Sequence, residues 1–166
     1  MNVMPTMEGG LRLAIESALE WEHLEQIPMD AMGDEDGDGK LAERLGALMD
    51  EASDWEDVVI PELRVYFSEQ LGVVARSVGE ARKHAVDEPD EEGELGRIYI
   101  KRSEAEAWYG ALNQARLALE SRYRFGAAEQ LVVEELSGFP QDKLRGFLRM
   151  RLYSGLQMML LDYAMD

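Results

Sequence analysis

One stretch limits the fold more than any other. Ser103–Arg122, SEAEAWYGALNQARLALESR, opens with Ser103 and Glu106 at capping-box spacing, which predicts a helix start there. Ala105, Trp108, Leu112, Ala115 and Leu119 then recur at steps of three and four. Such a row lies along one side of a helix and has to be buried against something. Tyr109, Asn113, Arg116 and Glu120 form a polar row beside it.

Two further long helices are expected. One begins near Pro61, a residue suited to a first turn, and carries Leu63, Val74, Val78 and Ala81 towards Val86. Gly72 and Gly79 lie inside it and predict close approach of a neighbouring helix. The other starts at Pro140 or Gln141, with Leu144, Leu148, Leu152, Leu156, Met159 and Tyr163 as its inward row and Lys143, Arg145, Arg149 and Arg151 on its other side. Shorter helices are expected from Glu16 to Ile27, ended by Pro28, then from Leu41 to Met49 and from Ala127 to Leu136. Leu11–Ile15 and Arg97–Lys101 alternate apolar with other residues, so each reads as a short strand. The expectation is an all-α single domain over 1–166. It is a bundle of five or six helices, with room for one small two-stranded ribbon pairing 11–15 with 97–101. Acidic loops interrupt it near 30–40 and 87–96.

Charge narrows the partners. The 166 residues carry 34 acidic and 17 basic side chains, a net −17. Residues 1–94 hold 25 Asp/Glu and 7 Lys/Arg, or −18, and residues 95–166 hold 9 and 10, or +1. Such a surface repels phosphate backbones, which argues against nucleic acid and is compatible with a basic partner. There is no cysteine, so thiolate metal sites and cysteine nucleophiles are excluded, and a reducing cytoplasm is consistent. The N-terminal stretch does not have the form of a secretory signal, and no apolar run is long enough for a membrane span.

Three constellations bear on chemistry. Asp34, Asp36 and Asp38, followed by Gly39, match the opening of an EF-hand calcium loop, but its twelfth position is Leu45 rather than glutamate. An acidic surface loop is the competing reading, with calcium as the alternative to no cofactor. Glu20 and His23 have the spacing of a di-iron ligand pair without a second copy, which favours a surface histidine. Tyr109, Asn113 and Arg116 are the first place to look for a ligand. Their structural alternative has Arg116 pairing with a carboxylate and Asn113 with a neighbouring backbone. No nucleophile elbow, phosphate loop or dinucleotide fingerprint occurs.

The strand Ile98–Ile100, the acidic start at Glu104 and Glu106, Trp108, the run Ala111–Leu119 and the later Tyr153, Leu156 and Gln157 together resemble an uncharacterised bacterial family, DUF2017. Gly9–Leu13 resembles its opening. Glu120-Ser121-Arg122 departs from the Gly-Thr-Arg usual there. The resemblance implies no reaction, substrate or cofactor. It implies a gene neighbour, the Clp-protease adaptor. The functional expectation is a non-enzymatic cytoplasmic protein that binds another protein, basic or Clp-related, and self-association is left open. The alternatives are a calcium module and a small-molecule-binding bundle.

Overall fold

A computed structural model of the chain describes residues 1–33, 59–126 and 136–165. The expected helices at 41–49 and 127–136 fall almost wholly outside the described residues, as do Asp34, Asp36 and Asp38.

The all-α expectation is overturned. A three-stranded antiparallel sheet is built from β1 (Asn2–Pro5), β2 (Leu11–Ile15) and β3 (Gly96–Ile100), in the order β1-β2-β3. The expected pairing of 11–15 with the segment near 97–101 is present, with Leu11 opposite Ile100 and Ile15 opposite Gly96. It is the middle and edge of a sheet rather than a free ribbon. The strand that was missed, β1, is four residues long and ends in a proline. Proline is tolerated there because β1 is an edge strand and its nitrogen has no ladder partner to serve. Gly10 sits at the start of β2 because a Cβ there would lie 2.2 Å from the Ile100 carbonyl oxygen.

The helices are α1 (Ala18–Glu25), α2 (Ile27–Met32), α3 (Ile60–Arg82), α4 (Ala105–Tyr123) and α5 (Gln141–Tyr163). Helix α4 is the hub, packing against α2, α3 and α5. Its expected row is buried throughout: Ala105, Trp108, Leu112, Ala115 and Leu119 are at most 2% exposed. Ala111 and Ala118 are buried too, so the hub is covered on more than one side and its small side chains let neighbours close in. Leu11, Leu13, Ile15, Ile98 and Ile100 join the same core from the sheet.

Several helix boundaries depart from expectation. The capping box is at Ser17 and Glu20, heading α1: the Ser17 hydroxyl accepts from the Glu20 amide at 3.3 Å, and the Glu20 carboxylate accepts from the Ser17 amide at 3.2 Å. At Ser103 no such box forms. A 3-10 turn, Arg102–Glu104, precedes α4, Glu104 accepts from the Lys101 amide, and Glu106 accepts from the Tyr66 hydroxyl at 3.0 Å. Pro28 starts α2 rather than ending a helix, because a proline in a first turn removes a donor that has no partner anyway. The close approach expected at Gly72 and Gly79 is absent, as both face open space. It occurs at Gly110 of α4, where a Cβ would lie 2.3 Å from the Gln70 side chain of α3. Gln114 donates to the Gln70 side-chain oxygen at 2.8 Å along the same contact.

The largest correction is on α5. Its buried side chains are Phe147, Met150, Tyr153, Leu156, Gln157 and Leu160. Of the expected row only Leu156 is buried, and Leu148 is 44% exposed. Steps of four residues overshoot one turn by about 40° each, so Leu144 and Leu156 end about 120° apart. Repeated fours therefore drift around a helix instead of marking one side.

Candidate functional site

The described residues contain three features that could carry function: a buried ionic cluster, an open cleft, and the outward side of α5.

The ionic cluster joins α1, α2 and α5. Asp30 on α2 accepts two bonds from Arg149 on α5, Nε at 2.7 Å and Nη2 at 3.0 Å. The Tyr153 hydroxyl lies 2.8 Å from Asp30 Oδ2 and 2.9 Å from the His23 carbonyl oxygen. Both charged side chains are buried, at 8% and 13% exposure. Burial and the neighbouring carboxylate push the Tyr153 hydroxyl far above its ordinary value, so it stays a donor. Arg149 was expected to face outward; it is the ionic anchor between α2 and α5. A cavity of about 200 Å³ opens beside it, bounded by Gln26, Met29, Gly33 and Arg122.

His23 was expected at the surface. It is buried, and desolvation, followed by the nearby Arg149 charge, lowers its pKa below the usual value. The unfolded chain therefore takes up a proton before the folded one does as pH falls. Stability from this group is full above the ordinary histidine range and is lost as pH drops through it. Urea midpoints measured from pH 7.5 to 5.5 will fall for the wild type more steeply than for His23→Gln. Parallel curves would show that His23 does not contribute.

Tyr109, Asn113 and Arg116 lie on α4 where it meets α5. Gln157 of α5 ties two of them together, accepting from Arg116 Nη1 and donating to the Tyr109 carbonyl at 3.1 Å. Arg116 thus pairs with an amide, not with the expected carboxylate, and Tyr109 takes part through its backbone. Arg116 Nε is buried and has no partner among the described residues. Asn113 is half-buried beside them. None of the three lines the Arg149 cavity or the cleft.

The cleft, about 660 Å³, runs between the last turns of α3 and β3. Arg76 and Glu80 line it from α3, His84 from just past the end of α3, and Arg97, Tyr99 and Lys101 from β3 and its exit. Its end wall is the acidic turn expected near 87–96. Asp90 organises that turn by accepting from the Glu92 and Glu94 amides at 2.9 and 3.0 Å. Glu94 is buried and paired with Arg12 at 2.7 Å and with Arg97. Six acidic residues in ten thus form a turn tied to the sheet by two arginines.

Outward on α5 stand Leu148, Met158, Leu161 and Tyr163, with Met158 63% exposed, and Gly155 has nothing within 4 Å of its would-be side chain. Leu144, Leu152 and Met159 flank them, half-buried.

The geometry defines an α+β domain in which a helical hub carries a small antiparallel sheet. Residues 23–162 match the family described as Domain of unknown function (DUF2017), and the chain belongs to that family. No curated protein and no solved structure matches it. Tyr153, Leu156 and Gln157, the residues that carried the resemblance on α5, are all buried, and two of them bond across helices. Among the described residues no group of three or more His, Asp or Glu is placed to hold a metal, and no helix is long and apolar enough to cross a membrane.

Proposed function

We propose that this is a non-enzymatic cytoplasmic protein that works by docking another protein on the outward side of α5. The observation that carries the reading is the leucine and methionine row itself. A 23-residue helix buries one side in the core and presents Leu148, Met158 and Leu161 to solvent on the other. Met158 and Leu161 stand three residues apart and are neighbours on that side, and exposed apolar side chains grouped on a helix are a usual mark of a protein contact. The acidic remainder of the surface speeds encounter with a basic partner by long-range attraction, which salt weakens.

The family resemblance puts the Clp-protease adaptor first among partners to try. Titration of the purified adaptor into the wild-type chain is expected to give heat that Met158→Glu abolishes. Equal heats from both chains, or none from the wild type, remove the Clp partner. The broader reading has its own check. A photo-crosslinking side chain at position 158, installed in cells, is expected to give adducts to another protein chain. If position 158 yields none while the protein is folded and abundant, α5 is not a docking surface.

A further inference from the structure

We propose that two copies of the free chain pair through the outward sides of α5, antiparallel about a two-fold axis. This rests on the reading of α5 as a docking surface and names an occupant for it. Leu144, Leu148, Arg151, Gly155, Met158 and Asp162 follow one another at steps of four, three, four, three and four. Steps that alternate this way hold one line along a helix, the pattern of a seam between two helices. From Leu148 onward every member of the line is exposed. Leu152 and Met159, half-buried, border it. Gly155 has nothing within 4 Å of a would-be Cβ, so the line carries a gap the width of a side chain. Met158, 63% exposed, stands next along it.

The charges on the line select the second copy and its direction. Arg151 and Asp162 are the line's two charged members, one of each sign. Among the described residues neither forms an ion pair. In a two-fold pair every contact occurs twice, with the roles exchanged. When the copies run antiparallel and meet midway between Gly155 and Met158, Met158 of each copy enters the gap at Gly155 of the other. Arg151 and Asp162 lie equally far on either side of that midpoint, so each Arg151 meets the other copy's Asp162. A parallel pair sets Arg151 against Arg151 and Gly155 against Gly155, with like charges opposed and the gap unfilled. A uniformly basic or acidic chain laid along the line matches one of the two charges and opposes the other. Each copy carries a net −17, yet residues 95–166, which hold α5, sum to +1, so the pair forms through the near-neutral half of the chain.

Sedimentation equilibrium of the purified chain tests this. The wild type is expected to be a dimer at about 100 µM, a concentration that fills a contact of micromolar affinity. Arg151→Asp and Asp162→Arg are each expected to weaken pairing about tenfold or more, because each sets like charges face to face at both contacts. Both positions are exposed, so the fold, read by circular dichroism, is expected to be unchanged. An equimolar mixture of the two variants is expected to pair as the wild type does, because opposite charges meet again at both contacts. A monomeric wild type at that concentration, single variants that pair as well as the wild type, or a mixture that stays monomeric overturns the proposal. A photo-crosslinking side chain at position 158 separates this from the reading it rests on. Adducts between copies of the purified chain are expected. Adducts in cells to a different protein, with none in the purified chain, overturn the second copy and keep α5 as a docking surface, whereas none in either removes both.

Discussion

Arg149→Leu is expected to lower the unfolding free energy by about 3–5 kcal/mol, the usual cost of stripping one partner from a buried ion pair. The leucine fills much of the space, so the loss comes chiefly from the Asp30 carboxylate. That carboxylate is 8% exposed in the wild type, and the Tyr153 hydroxyl would be its chief remaining donor. For a chain of this size that corresponds to a melting temperature lower by about 10 °C. Tyr153→Phe removes one hydrogen bond to a charged acceptor and should cost less, about 1.5–3 kcal/mol. Adding Asp30→Asn to Arg149→Leu should recover part of the loss, because the orphaned charge is gone, and the double-mutant cycle should show strong coupling. Thermal and urea unfolding of the wild type, Arg149→Leu, Asp30→Asn, the double variant and Tyr153→Phe measure these effects. A loss under about 1 kcal/mol for Arg149→Leu would mean that water screens the pair as it screens a surface bridge, and the cluster would not be an anchor.

Trp108→Ala should cost a comparable amount, about 3–5 kcal/mol, because it leaves a large void where α4 meets the rest of the core. The indole is fully buried, and its Nε1 has no hydrogen-bond partner among the described residues. That second fact separates two substitutions. Trp108→Phe keeps an aromatic ring and removes a donor that is already desolvated without return. It should lose less than half of what Ala loses, read as a shift of the urea midpoint at unchanged slope. Phe as damaging as Ala would show that the Nε1 proton has a partner worth keeping.

The readable parts of the fold share a property. Each is a local pattern whose period matches the element it forms. The α4 row alternates threes and fours, so it stays on one side and is buried as expected. Leu11–Ile15 alternates by two, and so does the segment at β3, and both are strands that pair with each other. The α5 row failed because four-residue steps drift around the helix, so the pattern gave the helix but the wrong inward side. The capping signature at Ser103 lost to a 3-10 turn, while the working one at Ser17 lies in a segment with no long apolar row to draw attention to it. β1 is too short to show a period at all.

The candidate sites were less legible, for a related reason. Tyr109 and Arg116 stand out together in the sequence because they share one helix, yet their common partner, Gln157, lies 41 residues beyond Arg116. Asp30 and Arg149 are separated by 119 positions, and nothing near either one marks it as paired. The cleft needs α3, β3 and an acidic turn at once. That turn reads in the sequence as an acidic loop, and the arginines that tie it to the sheet, Arg12 and Arg97, lie outside it.

From residue order alone came the long helices, two strands, the acidic first half and membership of a family with no assigned chemistry. These rest on neighbours within a turn or two of chain, where spacing fixes geometry. Which side of α5 faces water, which arginine is buried, and which arginines hold the acidic turn depend on contacts between segments far apart in sequence. No local period encodes those, because they exist only once the hub helix has gathered its neighbours and each polar group has met, or missed, its partner.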